Sequence, residues 1–169
     1  MRFIIGGQVL LPFRNPKDEF ETAYTLYADM LYRLALSYMK QQEDAEDVVQ
    51  EVFVKYFSGL HLPMDKEQEK AWFIRVTMNQ CHDALRKRKY RRHDSLDDVT
   101  EAGSVEDTPN ELFDVLQKLP EKYKDVIILH YLEDYSVEET SKMLGLSLSA
   151  TKMRLKRGRE FLKEELERK

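Results

Sequence analysis

The chain has 169 residues, enough for one domain or two small ones, and carries a formal net charge of −4 from 31 acidic and 27 basic residues. That balance excludes a protein that coats nucleic acid indiscriminately, so any nucleic-acid surface must be a local basic patch that is offset elsewhere. The single cysteine, Cys81, excludes an internal disulfide and favours a reducing, cytoplasmic location.

The first fifteen residues form an apolar arm that begins MRFIIGGQVLLPF. Two glycines and a proline interrupt its apolar run, and no small-residue cleavage site follows. The run is also far below the roughly 18 residues needed to span a bilayer. We therefore expect residues 1–15 to be a soluble N-terminal arm rather than a targeting signal.

Asn15-Pro16 predicts the start of a first helix, with Asn as the cap and Pro at the first helical position. Aromatic and leucine residues then alternate four and three apart, as on the buried face of a helix of about six turns. These residues are Phe20, Tyr24, Tyr27, Leu31, Leu34 and Tyr38. Aromatic residues at this spacing favour a core over a ligand site.

A second helix, DAEDVVQEVFVKYF, follows the polar break at residues 41–43, and Gly59 is expected to end it. Valine and aromatic residues make its apolar side. The other face carries Asp44, Asp47, Gln50 and Glu51. Taken alone, that face is typical of a solvated acidic surface.

Residues Leu60 to Lys70 are predicted to be a loop, and a long third helix is expected from Ala71. This helix begins apolar and ends strongly basic, because every residue between Arg86 and Arg92 except Tyr90 is Lys or Arg. A basic block can be a solvated helix end that the helix dipole favours. Here it continues directly from a packed helix and includes a tyrosine, which favours a phosphate-binding surface.

The charge reverses after the basic block. From Asp94 to Glu111 the chain is acidic, contains Gly, Ser, Thr and Pro, and has few apolar residues. This composition is typical of a flexible linker of about fifteen residues, which would let two domains sit independently. We therefore predict a first domain at 16–93, a linker at 94–108 and a second domain at 109–169.

The second domain is predicted to contain four short helices. Thr108 and Glu111 make a capping box at the first, Pro120 ends it, and the densely apolar EKYKDVIILHYLE forms the next. A third begins with a capping box at Ser136 and Glu139. No convincing strand pattern appears outside the N-terminal arm, so the fold class is all-α.

The last two helices have the pattern of a helix-turn-helix. Gly145 can take the left-handed conformation that a tight stop needs, and Leu146-Ser147 makes the turn. The final helix carries one inward stripe, Thr151, Leu155, Gly158 and Leu162. Its other faces are basic, which points to duplex DNA.

Catalysis is not expected from this sequence. The histidines are scattered and lack metal-ligand spacing with Cys or carboxylates; they are His61, His82, His93 and His130. Neither a Gly-rich phosphate loop nor a nucleophile elbow is present. We expect no catalytic residue, metal, cofactor or small-molecule substrate, and we expect Cys81 and His82 to be ordinary helix residues.

The segments taken together resemble a known family. LPEKYKDVIILHYLEDYSVEETSKMLGLSLSATKMRLKRGREFL resembles the promoter −35-binding region of bacterial sigma factors. DAEDVVQEVFVKYF and AWFIRVTMNQCHDALRKRKYRR resemble the regions that bind core RNA polymerase and recognise the −10 element. The order and spacing of the three segments, from about Asp18 to Leu166, are similar to those of extracytoplasmic-function (ECF) sigma factors.

The resemblance implies roles for individual residues in the first domain. The polymerase-binding set is Asp44, Asp47, Gln50 and Glu51. The set for the −10 element is Asn79, Asp83 and Arg86, with the basic residues Lys87, Arg88, Lys89 and Arg91. The loop from Leu60 to Lys70 corresponds to the element that captures an unstacked −10 base. Trp72 matches a family tryptophan that sits mainly in the core, and we favour that role over base stacking.

In the second domain, the residues away from the inward stripe are implied to bind the −35 element: Ser149, Lys152, Met153, Arg154, Lys156 and Arg157. Gly158 stands where the family often has alanine, and it costs the helix up to about 1 kcal/mol. The implied partners are core polymerase, promoter DNA and an anti-sigma factor, which in this family is often a membrane protein. The alternative is a helix-turn-helix regulator that binds DNA alone as a dimer; an acidic helix followed by a basic, tyrosine-containing one disfavours it.

Overall fold

The computed structural model of the chain describes residues 3–5, 8–10, 16–58, 65–94 and 111–168, with side chains at 18–58, 65–90 and 113–168. Within these ranges the two domains are helical, as predicted, and one short antiparallel hairpin precedes them. The elements are β1 (Phe3–Ile5), β2 (Gln8–Leu10), α1 (Pro16–Tyr38), α2 (Gln42–Phe57), α3 (Lys66–Asp94), α4 (Glu111–Lys118), α5 (Glu121–Ile127), a π-helical turn that continues α5 (Ile128–Leu132), α6 (Val137–Leu144) and α7 (Leu148–Glu167).

The first domain is built from α1, α2 and α3, which pack against one another around a shared apolar core. Leu31, Val52, Phe73 and Ile74 are fully buried in it. Pro16 is the first helical residue of α1, as predicted, while its expected cap lies outside the described residues. The predicted stop of α2 at residue 59 also lies outside them, and α2 ends at Phe57.

The apolar stripe of α1 is only partly buried. Its later members are buried as predicted, but Phe20 and Tyr24 are 40% and 51% exposed, so their assignment to the core was wrong. Their ring centroids lie 4.9 Å from Phe57 and 5.2 Å from Phe53, respectively. These two rings therefore contact α2 along one edge, and their other side remains open to solvent.

The third helix starts five residues before its predicted beginning at Ala71, so the part of the predicted loop from Lys66 to Lys70 is helical. Asp65 caps it: the Asp65 carboxylate accepts a hydrogen bond from the Gln68 amide at 2.8 Å, and the Gln68 side chain accepts from the Asp65 amide at 3.4 Å. On the first turn, Glu69 accepts hydrogen bonds from the hydroxyl groups of Tyr27, at 2.9 Å, and Tyr56. Burial and these bonds raise the pKa of Tyr27 to about 12 and also raise that of Tyr56.

The second domain packs α5 against α7 around a smaller core. Its buried members are Leu116, Leu119, Val126, Ile127 and Leu155. The predicted cap of α4 at 108–110 lies outside the described residues.

The two domains contact each other directly. Ile128 and Leu129, from the π-helical turn, belong to the apolar cluster of the first domain. On α5, Lys124 and Asp125 are buried against α1 and α3. The chain therefore adopts a closed arrangement, and the predicted linker that joins the domains lies outside the described residues apart from Asp94.

Candidate nucleic-acid interface

The helix-turn-helix is formed by α6 and α7, and each helix begins with a capped turn. The Ser136 hydroxyl accepts from the Glu139 amide at 3.2 Å, and the Glu139 carboxylate accepts from the Ser136 amide at 2.8 Å. Gly145 ends α6 in the left-handed region, at φ 63°, where glycine has no steric penalty. The Ser147 hydroxyl then accepts from the Ala150 amide at 3.2 Å. These contacts confirm the predicted start, stop and turn.

The inward stripe of α7 is also confirmed. Thr151 and Leu155 are 0% and 5% exposed, Gly158 is buried and Leu162 is half-buried. At Gly158 an added Cβ would lie 2.7 Å from Ile127 Cγ1. The glycine therefore lets α5 approach α7 closely at this position.

The outer face of α7 carries the residues predicted for the −35 element. All of them are exposed except Arg154, which is half-buried. The set is Ser149, Lys152, Met153, Arg154, Lys156 and Arg157. Lys156 and Arg157 lie 3.9 and 3.7 Å from the Glu160 carboxylate. Exposed pairs of this kind are weak, so both side chains remain available to a phosphate.

Two residues of α5 lie beside this face and were missed from the sequence. Lys122 and Tyr123 line a shallow cleft together with Ser149, Ala150, Met153, Arg154 and Arg157. The Lys122 ammonium lies 4.8 Å from the centroid of the Tyr123 ring. The apolar pattern of EKYKDVIILHYLE indicates which residues of α5 are buried. It does not indicate that the other side of α5 lies next to α7, because that depends on the tertiary packing of the two helices.

The residues predicted for the −10 element follow one side of α3. Asn79, Asp83 and Arg86 are exposed, and Arg86 Nη2 lies 2.7 Å from Asp83 Oδ1. Lys87 and Lys89 are exposed as well. The side chain at position 91 lies outside the described residues.

Arg88 differs from its neighbours because it joins two of the predicted sets. It is half-buried, and its Nη1 donates to the Asp44 carboxylate on α2 at 3.1 Å. A cleft between α2 and α3 is lined by Asp44, Asp47 and Glu51 on one wall and by Lys87 and Arg88 on the other. The acidic set and the basic set therefore meet at this cleft.

The fourth member of the polymerase-binding set, Gln50, lies on the other side of α2. There it lines a groove between α1 and α2 with exposed apolar side chains, including Phe20, Tyr24, Val54 and Phe57. Val54, 65% exposed, is the most open of these. Sequence reasoning missed this groove because helical periodicity does not reveal how far a neighbouring helix extends.

Trp72 is half-buried and packs on the first-domain core, with its ring centroid 5.7 Å from that of Tyr56 and 5.3 Å from that of Phe73. This placement agrees with the predicted core role. The adjacent loop, predicted to capture a base, is described only from Asp65 onward, where the chain is already entering α3.

Cys81 and His82 follow on the same helix. Cys81 is fully buried, and burial raises the pKa of its thiol to about 12. His82 is more than an ordinary helix residue, because its Nε2 lies 3.1 Å from Asp125 Oδ1 in the other domain. That hydrogen bond raises the pKa of His82.

Two further properties concern the described part of the chain. Within those ranges, no three His, Cys, Asp or Glu side chains come together so that they could hold a metal ion. None of the described helices combines the length and the apolar character needed to cross a membrane.

Comparison with known proteins identifies both domains. Residues 23–91 match the family model of sigma-70 region 2, and residues 110–162 match that of sigma-70 region 4. RNA polymerase sigma factor SigV of Bacillus subtilis (strain 168) is 32% identical over 148 residues, covering 86% of this chain and 89% of the relative. ECF RNA polymerase sigma factor SigW of the same organism is 26% identical and is covered over 98% of both chains.

Solved structures share the fold. CnrH in complex with the cytosolic domain of CnrY has a TM-score of 0.64 and 25% identity, over 90% of each chain. The sigma factor RpoE in complex with the anti-sigma factor NepR from Bartonella quintana has a TM-score of 0.69 and 23% identity, over 88% of this chain and 97% of that one. With family models matched in both domains and a relative above 30% identity, the chain belongs to the RNA polymerase sigma factors of the ECF type, which direct promoter-specific transcription initiation.

Proposed function

We propose that the chain works through three surfaces, one for core RNA polymerase, one for the −10 element and one for the −35 element. The observation that carries this proposal is the separation of charge between two helices. The outer face of α2 is acidic and that of α7 is basic, and each helix buries its opposite side. With a net charge of −4, the free chain binds promoter DNA weakly, so assembly with polymerase comes first.

The polymerase surface is the exposed arc of α2 that carries Asp44, Asp47, Gln50 and Glu51. Carboxylates on one side and the apolar groove on the other suit a partner helix that is both basic and apolar. Charge complementarity would set the orientation and the rate of assembly, and burial of the exposed rings beside Gln50 would add affinity.

The −10 surface is the exposed side of α3 with Asn79, Asp83 and Arg86. These side chains offer both donors and acceptors to base edges, while Lys87 and Lys89 can neutralise phosphates. The loop before α3 would hold a base that has left the stack. Unstacking costs a few kcal/mol, so a pocket that binds the free base favours strand opening.

The −35 surface is the outer face of α7. Recognition helices read base edges with their N-terminal residues, so Ser149, Lys152 and Met153 are placed in the major groove. Met153, 62% exposed, can contact a thymine methyl group. Lys122, from α5, extends the basic surface toward the backbone. Along the sequence, the predicted linker at residues 94–108 lies between this surface and the other two.

Run-off transcription with purified core polymerase tests the polymerase surface. The combined variant Asp47→Ala, Gln50→Ala, Glu51→Ala should lose promoter-specific initiation while keeping its helical circular-dichroism spectrum. A matched control, Glu164→Ala with Glu167→Ala, also removes two negative charges, but from the exposed end of α7. This control should initiate transcription normally. Equal activity of the triple variant and the control would refute the placement of this surface.

Salt dependence separates the roles of the basic residues on α7. If Arg157 contacts a phosphate, Arg157→Ala should weaken holoenzyme binding to all −35 sequences alike and reduce the slope of log K against log salt by about 1. If it reads guanine, the loss should be confined to promoters with that base. An unchanged affinity on every promoter would show that Arg157 is not part of the −35 surface.

The resemblance to ECF sigma factors further supports a protein partner that holds the chain inactive, an anti-sigma factor anchored in the membrane. The similar protein CnrH was solved with the cytosolic domain of CnrY, which agrees with a partner of this kind. RNA synthesis belongs to the polymerase, so the chain itself needs neither a catalytic residue nor a cofactor, and it acts in the cytoplasm. Binding assays against the cytosolic domains of membrane proteins encoded beside its gene test the partner; failure of all of them to bind would contradict it.

A further inference from the structure

The contact between the two domains combines the apolar residues Ile128 and Leu129 with a set of buried polar and charged side chains. On α5, Lys124 is 3% exposed and Asp125 is 8% exposed, although charged residues are seldom buried unless they are paired. The Asp125 carboxylate accepts a hydrogen bond from the Tyr38 hydroxyl at 2.6 Å and lies 3.1 Å from His82 Nε2. Both partners of this carboxylate belong to the first domain.

Side chains of the second domain also cap the end of α1. Lys124 Nζ donates to the Ser37 carbonyl at 3.0 Å, and Gln117 Nε2 donates to the carbonyls of Leu36 and Met39 at 3.3 and 3.2 Å. The last carbonyls of a helix have no partner within the helix and attract positive charge. Because α1 has no basic residue in its last turn, the other domain supplies that charge.

The closed arrangement places the second domain beside part of the basic surface of α3. Arg88 and Lys89 line a cleft whose other wall is the second domain between Gln117 and Lys124. Nucleic acid that approaches this side of α3 therefore meets α4 and α5.

The closed arrangement is also too short to reach both promoter elements. The −35 and −10 elements are separated by about 25 base pairs, or about 85 Å at roughly 3.4 Å per base pair. A compact chain of this length has a radius of gyration of about 15 Å, which corresponds to a diameter of about 40 Å. Simultaneous binding of the two elements therefore requires the domains to separate.

We propose that the contact formed by Tyr38, His82, Gln117, Lys124 and Asp125 is an autoinhibitory latch, which keeps the free chain closed until polymerase separates the domains. This proposal rests on the proposed function. It assigns the inhibition to the chain itself, so the free protein is restrained even when no other protein is bound.

Domain separation can be measured by energy transfer between dyes on Thr25→Cys in α1 and Lys163→Cys in α7, since both positions are exposed and lie outside the proposed binding surfaces. Tyr38→Phe removes one hydrogen bond to Asp125, and Gln117→Ala removes the cap on α1, as two independent tests. Tyr131→Phe is the matched control, because the Tyr131 hydroxyl accepts only from Arg159, within its own domain, among the described contacts. Circular dichroism confirms that each variant is folded.

Each latch variant should lower the energy transfer of the free chain and tighten the apparent dissociation constant for core polymerase. A hydrogen bond to a charged group is worth about tenfold in the equilibrium, so Tyr38→Phe should change both readouts by about that factor. The control should match the wild type. The latch is overturned if folded variants keep the wild-type energy transfer, or if they open without any gain in affinity. Absence of polymerase binding by every form would refute the proposed function instead, and energy transfer would still report on the latch.

Discussion

Gly158 lies where α7 passes α5, and Gly158→Ala adds one methyl group at that contact. The new Cβ would lie 2.7 Å from Ile127 Cγ1 and 3.0 Å from Ile127 Cδ1. Carbon atoms in ordinary contact are roughly 3.5 to 4.0 Å apart, so Ile127 must retreat by about 1 Å. Because Cγ1 is bonded directly to the branched Cβ, the clash is relieved only by a χ1 rotation or by a shift of α5 relative to α7.

Two opposing effects determine the sign of the change in stability. Alanine favours a helix interior over glycine by about 1 kcal/mol. Overpacking a filled core costs about 1 to 3 kcal/mol. Ile127 is 3% exposed and clusters with Leu116, Leu119 and Val126, so it has little room to relax. With a steric cost of about 2 kcal/mol, we expect the free energy of unfolding to fall by about 1 kcal/mol.

Urea unfolding followed by far-ultraviolet circular dichroism measures this loss, and the fluorescence of Trp72, the single tryptophan, reports separately on the first domain. In an Ile127→Ala background the clashing atoms are gone, so Gly158→Ala should stabilise the protein there by about 1 kcal/mol. The coupling free energy between the two sites is then about 2 kcal/mol. Ile127→Val retains a Cγ1 atom and is the matched control, in which Gly158→Ala should still destabilise. Equal effects in all three backgrounds would refute the steric explanation.

Three further predictions follow from contacts of single residues. Cys81 is buried, and burial raises the pKa of its thiol to about 12. A thiol reagent should therefore label the native protein slowly at mildly alkaline pH and the denatured protein fully. Rapid labelling of the native protein, measured by mass spectrometry, would contradict this burial. Ser136→Ala should reduce the free energy of unfolding by about 1 kcal/mol in urea titrations, since the Glu139 amide loses its acceptor, whereas an unchanged midpoint would show that the cap is dispensable. The hydrogen bond to Asp125 raises the pKa of His82 above its usual 6.5, so its contribution to stability is complete below that pH and is lost as the pH rises through the folded-state value. Urea titrations across this range should show a smaller decline for His82→Gln, and identical pH profiles would exclude the contribution.

Sequence alone predicted the features that depend on local chemistry. The capping box at Ser136 and the stop at Gly145 each involve residues within about one helical turn, and the buried stripe that begins at Thr151 follows from the period of a single helix, so the pattern specifies the structure. A second capping box, formed by Asp65 and Gln68, has the same kind of signature and was available in the sequence. The prediction of a loop from Leu60 to Lys70 overlooks this box, and it therefore starts α3 five residues late.

Features that depend on neighbouring elements were not predictable in this way. Periodicity placed Phe20 with the core residues of α1, but it contains no information on where α2 ends. The family resemblance placed Asp44 and Arg88 in different binding sets, and only the packing of α2 against α3 shows them 3.1 Å apart. For the same reason, the approach of Lys122 to the outer face of α7 has no signature in sequence.

The buried charges of α5 show why a polar contact suits domains that must separate. A wholly apolar interface could also hold the closed form, but its opening would expose more apolar surface to water than Ile128 and Leu129 alone, which is costly and promotes aggregation. When Lys124 and Asp125 leave the interface, water replaces the hydrogen bonds that Ser37 and Tyr38 provided, so this polar part of the contact adds little to the cost of opening. Replacement of such a buried charged cluster by apolar residues is often neutral or stabilising. The charges are therefore better explained by the need for reversible contact than by the stability of the closed form.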